Sequence, residues 1–372
     1  MIEGTGSREK SWPLYFELTF MAGKDTKVKI MKEQIHGGDV YRHKNVLDFS
    51  SNMNPLGTPP GVIKAAAESM KSVCNYPDIR YEELAGRLSE YERVPAEWLI
   101  CGNGAAELIF TLVLALKPSH ALLMAPTFAE YEQALRVVGC DIAYHELKEG
   151  DGYALTGDIL DEILLHLDLV ILCNPNNPTG LLAEPELMSR IVKRCRETGT
   201  FLVIDECFQD FIEDRDRHTK KNMLGEYQNL FLLKAFTKRY AMAGIRLGYG
   251  LCSNLAVLEK MQEAVQPWNV SIPAQAAGVA ALEEEEYVDE ARQIIGAERE
   301  FLRDGLRQLG FSVYDSRANY IFFRGPSGLV EHALKKQVLI RDCSNYRGLS
   351  EGYYRVAVRT HEENIKLLEA LA

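Results

Sequence analysis

The 372-residue chain has eight cysteines, yet no two form a C-x-x-C pair and none has zinc-type spacing; no two of the eight histidines form a close metal-type pair. A structural zinc site or a dithiol redox centre is therefore not expected. Positive charge is in deficit, with 42 Lys and Arg against 53 Asp and Glu and a net charge of -11. That excludes the broad basic face needed to displace counterions from nucleic acid, so no nucleic-acid partner is expected. Any anionic ligand must be met by a local cluster of cations. No apolar run approaches the length of a membrane span, so no membrane association is expected. Internal repeats and low-complexity tracts are also missing.

The first thirty residues contain charges ahead of a short apolar patch but no sustained h-region and no small-residue cleavage site. They read as an extension, disordered or non-native in origin, with the fold beginning at Met31. The scattered cysteines, set among apolar neighbours, read as small core residues of a cytoplasmic protein. The run EEEE at 283–286 reads as a solvated helix face.

What is present is 47% hydrophobic and 26% charged, enough for a large core and for two domains. From about residue 97, short apolar runs alternate with longer amphipathic ones. EWLICGNG is a strand ending in glycines, and AAELIFTLVLAL follows as a helix. HALLMAPTFAEY, LVILCNPNNPTG, TFLVIDECFQDF and NLFLLKAFTK supply further strands and the loops after them, with a helix through ELMSRIVKRCRETG. This alternation predicts parallel strands joined by crossover helices. After about residue 254 helical pattern dominates, and SVYDSRANYIFFR, VLIRDC and YYRVAVR suggest a small sheet. The prediction is a large, mostly parallel α/β domain with a smaller α+β domain. The division expected is an N-terminal segment over 31–57 packing with the small domain, a large domain over 58–265 and the small domain over 266–372.

In such sheets ligands sit at the carboxyl ends of the strands. GNGAAE is a glycine-bearing turn into a helix start, with backbone N–H groups suited to an anion. NPNNPTG places asparagines at a proline-fixed bend. Asp205 ends one strand, and Thr237 and Lys238 end another, with Arg246 eight positions beyond the lysine. A phosphate-binding loop, a strand-end carboxylate and a lysine together fit pyridoxal 5′-phosphate (PLP), which takes a lysine, an acid partner for its ring nitrogen and an anchor for its phosphate. Arg246 would clamp that phosphate.

These residues resemble the fold-type I PLP enzymes of the class I/II aminotransferase superfamily over roughly residues 36–370. HGGDVYR, LDFSSNMNPLG, LIRDCSNYRGL and YYRVAVR further resemble the threonine-phosphate decarboxylases of cobalamin biosynthesis, close to histidinol-phosphate aminotransferases. The resemblance implies that Lys238 binds PLP covalently and Asp205 pairs with the ring nitrogen. Asn177 would bond the ring hydroxyl and Phe128 stack on the ring. The N–H groups of Gly104, Ala105 and Ala106, with Thr237 and Arg246, would hold the phosphate. Tyr76 would reach the cofactor phosphate of a second subunit, implying a homodimer.

It further implies His36, Asn52 and Arg341 for a substrate phosphate and Arg355 for the α-carboxylate, with Arg359 as the alternative. The implied reaction is decarboxylation of L-threonine O-3-phosphate to (R)-1-amino-2-propanol O-2-phosphate. Histidinol-phosphate transamination, decarboxylation of L-serine O-phosphate and PLP binding without catalysis are the alternatives. Two departures from the wider pattern stand out: Ala235 where many relatives carry serine, and Phe208 where many carry tyrosine.

Overall fold

Residues 36–372 are described by the structure, a computed structural model. The extension expected over residues 1–30 and the expected start at Met31 lie outside the described residues.

A short strand β1 (Leu47–Asp48) opens the described chain. The apolar runs then become β2 (Leu99–Gly102), β3 (His120–Ala125), β4 (Asp141–Glu146), β5 (Leu169–Cys173), β6 (Phe201–Asp205), β7 (Leu230–Ala235) and β8 (Gly248–Leu251). They form one seven-stranded sheet in the order β2-β8-β7-β6-β5-β3-β4. The strands β5, β6 and β7 are almost wholly buried, as continuous apolar runs covered by helices on both faces should be. Only β8 runs against its neighbours, antiparallel to both β7 and β2. The large sheet is thus mostly parallel, with one reversal that strand–helix alternation could not reveal.

Helix Pro185–Thr198 shows how sequence sets these crossovers. Leu187, Met188, Ile191, Val192 and Cys195 recur on one face and are buried, proline occupies the first turn, and Gly199 at φ 73° ends the helix in the left-handed conformation.

The second sheet contains β9 (Ser312–Val313), β10 (Tyr320–Arg324), β12 (Arg341–Asp342) and β13 (Tyr353–Ala357), antiparallel in the order β12-β13-β10-β9. Between them in sequence, β11 (Val338–Leu339) pairs in parallel with β1, so the N-terminal segment is tied to the C-terminal sheet. Helix Glu285–Gln308 buries Ala291, Ile295, Leu302 and Leu306 in a second core with Phe323, Val356 and Leu367. Helix Ile272–Ala281 instead packs in the core of the large sheet, through Ala274, Ala277 and Ala281.

Two expectations need correction. Seven cysteines are buried, but Cys74 is exposed, lying just past a 3-10 turn rather than in an apolar element. The EEEE run spans the junction between two helices rather than one helix face. Glu285 and Glu286 occupy the first turn of Glu285–Gln308, where negative charge meets the positive end of the helix dipole. Among the described residues no helix is long and apolar enough to cross a membrane.

Candidate active site

The parallel register brings the strand-end residues level. Cys173 of β5 pairs with Asp205 of β6, which pairs with Leu233 of β7. The loops after these strands therefore emerge side by side. Asp205 is buried, and both its oxygens are engaged: Oδ1 accepts from the Cys207 N–H at 2.9 Å and Oδ2 from the Tyr131 hydroxyl at 2.6 Å. Burial raises its pKa, opposed by these same donors. A buried carboxylate without a cation in hydrogen-bond contact is costly unless a cationic partner is supplied.

The connection 236–247 between β7 and the reversed β8 carries both Lys238 and Arg246. The register of Ala235 with Gly248 closes its two ends. Lys238 lies on the one-turn helix Phe236–Arg239. That turn is held by the N-terminal segment: Asn54 donates its N–H to Lys238 O at 3.1 Å and its amide to Arg239 O at 2.8 Å, while Thr58 donates to Ala241 O. The Lys238 pKa is lowered to about 8, first by burial and then by the positive charges of Arg355 and Arg246. Its ammonium lies 6.0 Å from the Phe208 ring centroid. Thr237 is buried beside it.

Arg246, at φ 59°, faces the turn before helix Ala105–Leu116. A Cβ on Gly104 would meet the Arg246 guanidinium at 2.5 Å, and Gly104 itself has φ 82°, so no side chain fits there. The N–H of Gly104 donates to Gly102 O at 2.7 Å. This corrects one expectation: Gly104 offers space rather than a free N–H, and Ala105 and Ala106 are left as the backbone donors at the helix start. Gly248 is likewise side-chain-free for contact, since a Cβ would stand 2.5 Å from the Ala105 nitrogen.

Asn177 is buried, and its Oδ1 accepts from Arg355 and, at 3.4 Å, from the Tyr346 hydroxyl. With the oxygen so held, the amide NH₂ is the side left to donate. Asn176 serves its loop instead, bonding Pro126 O and Thr127. Phe128 caps helix Ala129–Val137, half-buried and edge-on to Tyr131 at 5.5 Å.

Opposite these loops stands the small sheet. Arg341 of β12 is the direct cross-strand partner of Arg355 of β13, so the two share a face of the sheet. Both are buried, 5% and 6% exposed. Neither forms an ion pair with a carboxylate among the described residues. Arg341 donates to Asn345 at 2.9 Å and lies over the Tyr346 ring, with Nη1 buried and unpartnered. Arg355 bonds Asn177 and Ser50 O, with Nε buried and unpartnered. Two buried like charges side by side cost roughly several kcal/mol each without compensation. The arrangement fits an anion. Arg359, by contrast, is spent on Asp48 O and Glu363.

His36 joins this side because two glycines let the chain close. A Cβ on Gly37 would stand 2.1 Å from Ser50 O, and Gly38 has φ 84° while its N–H bonds Ser50 Oγ at 2.7 Å. The His36 ring, half-exposed, reaches Glu130 at 3.2 Å. Asn52 is buried nearby in sequence, its Oδ1 unpartnered and its carbonyl accepting from Asn319. Tyr76 stands apart from these contacts, exposed and stacked on Trp268 at 4.4 Å.

Three residues of this neighbourhood were not foreseen: Tyr131, Glu130 and Tyr346. Glu130 and Tyr131 lie two and three positions after Phe128, so the stretch was in view. Their proximity to Asp205 and His36 comes only from the fold.

Residues 44–371 match the family described as aminotransferase class I and II. The chain belongs to the class I and II aminotransferase family. Within it, a threonine-phosphate decarboxylase from Salmonella typhimurium is 38% identical over 348 residues, spanning 90% of this chain and 95% of its own. Histidinol-phosphate aminotransferase 2 of Archaeoglobus fulgidus is 32% identical over 332 residues, 88% of this chain and 93% of that one. The histidinol-phosphate aminotransferase structure from Clostridium acetobutylicum superposes with a TM-score of 0.82 at 32% identity, covering 88% of this chain and 98% of that one. Family membership implies PLP as the cofactor. The donor set fits it: a lysine of lowered pKa, a buried carboxylate lacking a cation, an amide donor, and a side-chain-free turn facing an arginine.

Proposed function

We propose that this aminotransferase-family chain is a PLP-dependent decarboxylase of L-threonine O-3-phosphate, releasing CO₂ and (R)-1-amino-2-propanol O-2-phosphate. The observation that carries the reading is the buried cross-strand pair Arg341–Arg355, two guanidiniums with no carboxylate partner among the described residues, which would suit two anionic groups of one small substrate. The 38% identity to a threonine-phosphate decarboxylase supports it.

When bound, PLP supplies the electron sink for the bond broken at the substrate's Cα. Lys238 would hold the cofactor covalently, and Asp205, kept in place by Tyr131 and the Cys207 N–H, would keep the ring nitrogen protonated. Asn177 would donate to the ring hydroxyl and Phe128 cover the ring. Ala105, Ala106, Thr237 and Arg246 would grip the phosphate around the space left by Gly104. Tyr76 would complete the phosphate site of a second copy in a homodimer.

On the substrate side, Arg355 would take the α-carboxylate and Arg341, His36 and Asn52 the phosphate. Two fixed anchors would set the rotation about Cα and so select which of its bonds is presented to that electron sink; positioning would be the protein's main contribution. After loss of CO₂ the substrate carbon would need a proton, and Lys238, placed on the turn after β7, would be the group to deliver it.

A second reading, transamination of histidinol phosphate, is favoured by the 32% identity and TM-score of 0.82 to such an enzyme. Incubating the PLP-loaded protein with L-threonine O-3-phosphate, and assaying CO₂ against keto acid, separates the two. Release of CO₂ with the amino alcohol phosphate is expected. Keto acid without CO₂ would overturn the decarboxylase reading.

A further inference from the structure

Glu130 is a carboxylate beside the proposed phosphate site that the roles above leave unexplained. It follows Phe128 by two positions in the first turn of helix Ala129–Val137. Its side chain is 14% exposed; Oε1 lies 3.2 Å from His36 Nδ1, and Oε2 is buried with no hydrogen-bond partner. The charged groups facing it are His36 from the N-terminal segment, Arg341 from β12 and Lys238 from the turn after β7. All three belong to the site assigned above to PLP and substrate.

This placement is a contradiction if the residue stays ionised. A phosphate monoester is close to a dianion at neutral pH, with a second pKa near 6. An ionised carboxylate sharing its cations would repel it and offer only acceptors to a ligand that is itself all acceptor. A protonated carboxyl reverses both effects, since it adds no charge and supplies one O–H donor. The surroundings lean that way: burial raises the Glu130 pKa against the opposing pull of His36, Arg341 and Lys238.

We infer that Glu130 is a specificity-determining residue that binds the substrate phosphate through a single shared proton, donated from its buried Oε2 to a phosphate oxygen. The inference rests on the phosphate reading of the site given above. It makes phosphate binding proton-linked: above the pKa of Glu130 in the free enzyme, the complex must take up a proton to form, and affinity falls up to roughly tenfold per pH unit.

The test uses the PLP-loaded enzyme and 3-phosphooxybutanoate, which is the proposed substrate without its amino group and so cannot react. Its affinity is measured by titration calorimetry from pH 7 to pH 9 for wild type, Glu130→Gln and Glu130→Ala. The lysine–cofactor linkage is common to all three, and repeating the series in a His36→Asn background removes the ring that contacts Glu130, so the comparison between profiles carries the result. Wild-type affinity should fall at least roughly tenfold more across this range than that of Glu130→Gln, whose amide donates at every pH. Glu130→Ala, lacking any donor, should bind about tenfold more weakly than Glu130→Gln at pH 7. Parallel profiles for wild type and Glu130→Gln, or tighter binding by Glu130→Gln at every pH, would overturn the shared proton while leaving the phosphate site standing. No binding of the analogue by wild type would overturn the phosphate reading itself, and this inference with it.

Discussion

Replacing Arg355 with methionine should make Lys238 harder to deprotonate, and the size of the change can be worked from its surroundings. An ordinary lysine has a pKa of 10.5, and Lys238 is lowered to about 8, by burial first and by Arg355 and Arg246 next. Only the neutral amine can attack the aldehyde of PLP. At pH 7 a group of pKa near 8 is roughly 10% neutral, against about 0.03% for one of pKa 10.5, a gain of roughly 300-fold in reactive amine. Arg355→Met removes one positive charge but leaves the burial, so the pKa should rise without returning to 10.5. The sign for stability follows from the same shift. The folded-state pKa lies below the unfolded one, so the charged amine opposes folding of the cofactor-free protein. That cost is full below about pH 8 and vanishes above about 10.5. The assay is the initial rate of PLP capture by cofactor-free protein, trapped by borohydride reduction and counted on Lys238 by mass spectrometry, from pH 6 to pH 10. Wild type should half-saturate near pH 8, with Arg355→Met displaced upward. A wild-type midpoint near 10.5, or identical midpoints in the two proteins, would refute the reasoning.

Three further outcomes are expected. Arg341→Ala should lower kcat/KM for threonine phosphate by roughly ten- to a hundredfold, the worth of one hydrogen bond to a charged group at about 1.5–3 kcal/mol, while kcat/KM for plain threonine, which has no phosphate to bond, should be unchanged; equal losses on both would remove Arg341 from the phosphate site. Tyr131→Phe takes the 2.6 Å donor from Asp205 and should push that carboxyl's pKa further up, weakening PLP retention about tenfold in equilibrium dialysis; unchanged retention would show that Cys207 alone suffices. The protein should sediment as a homodimer, and Tyr76→Ala should lose PLP more readily; a monomer retaining full activity would contradict the proposed subunit-crossing role.

The strand-end grouping of the proposed cofactor residues was legible from local sequence. GNGAAE, NPNNPTG, Asp205 and Lys238 each follow an apolar run directly, and parallel strands of matched register bring such ends together whatever the details of packing. Gly104 shows the limit of that reading, because the N–H expected to serve an anion closes instead on Gly102 O. Motif order could not show this, since the turn's own hydrogen bond depends on its φ.

The amino-acid sequence by itself determined the α/β class, the mostly parallel large sheet, the lysine–arginine interval and the need for a local cluster of cations in an acidic chain. Those features follow from periodicity, composition and spacing, which act over a few residues. Tertiary structure alone decided that β8 reverses, bringing Gly248 level with Ala235, and that Arg341 faces Arg355 across two strands. It also decided that β1 pairs with β11, with Gly37 and Gly38 seating the chain beside His36 on the Ser50 stretch. It set Tyr131 on Asp205 and Glu130 among His36, Arg341 and Lys238. Each is a juxtaposition of residues distant in sequence, set by strand register and loop closure, and no local pattern encodes a register between strands that have not yet met.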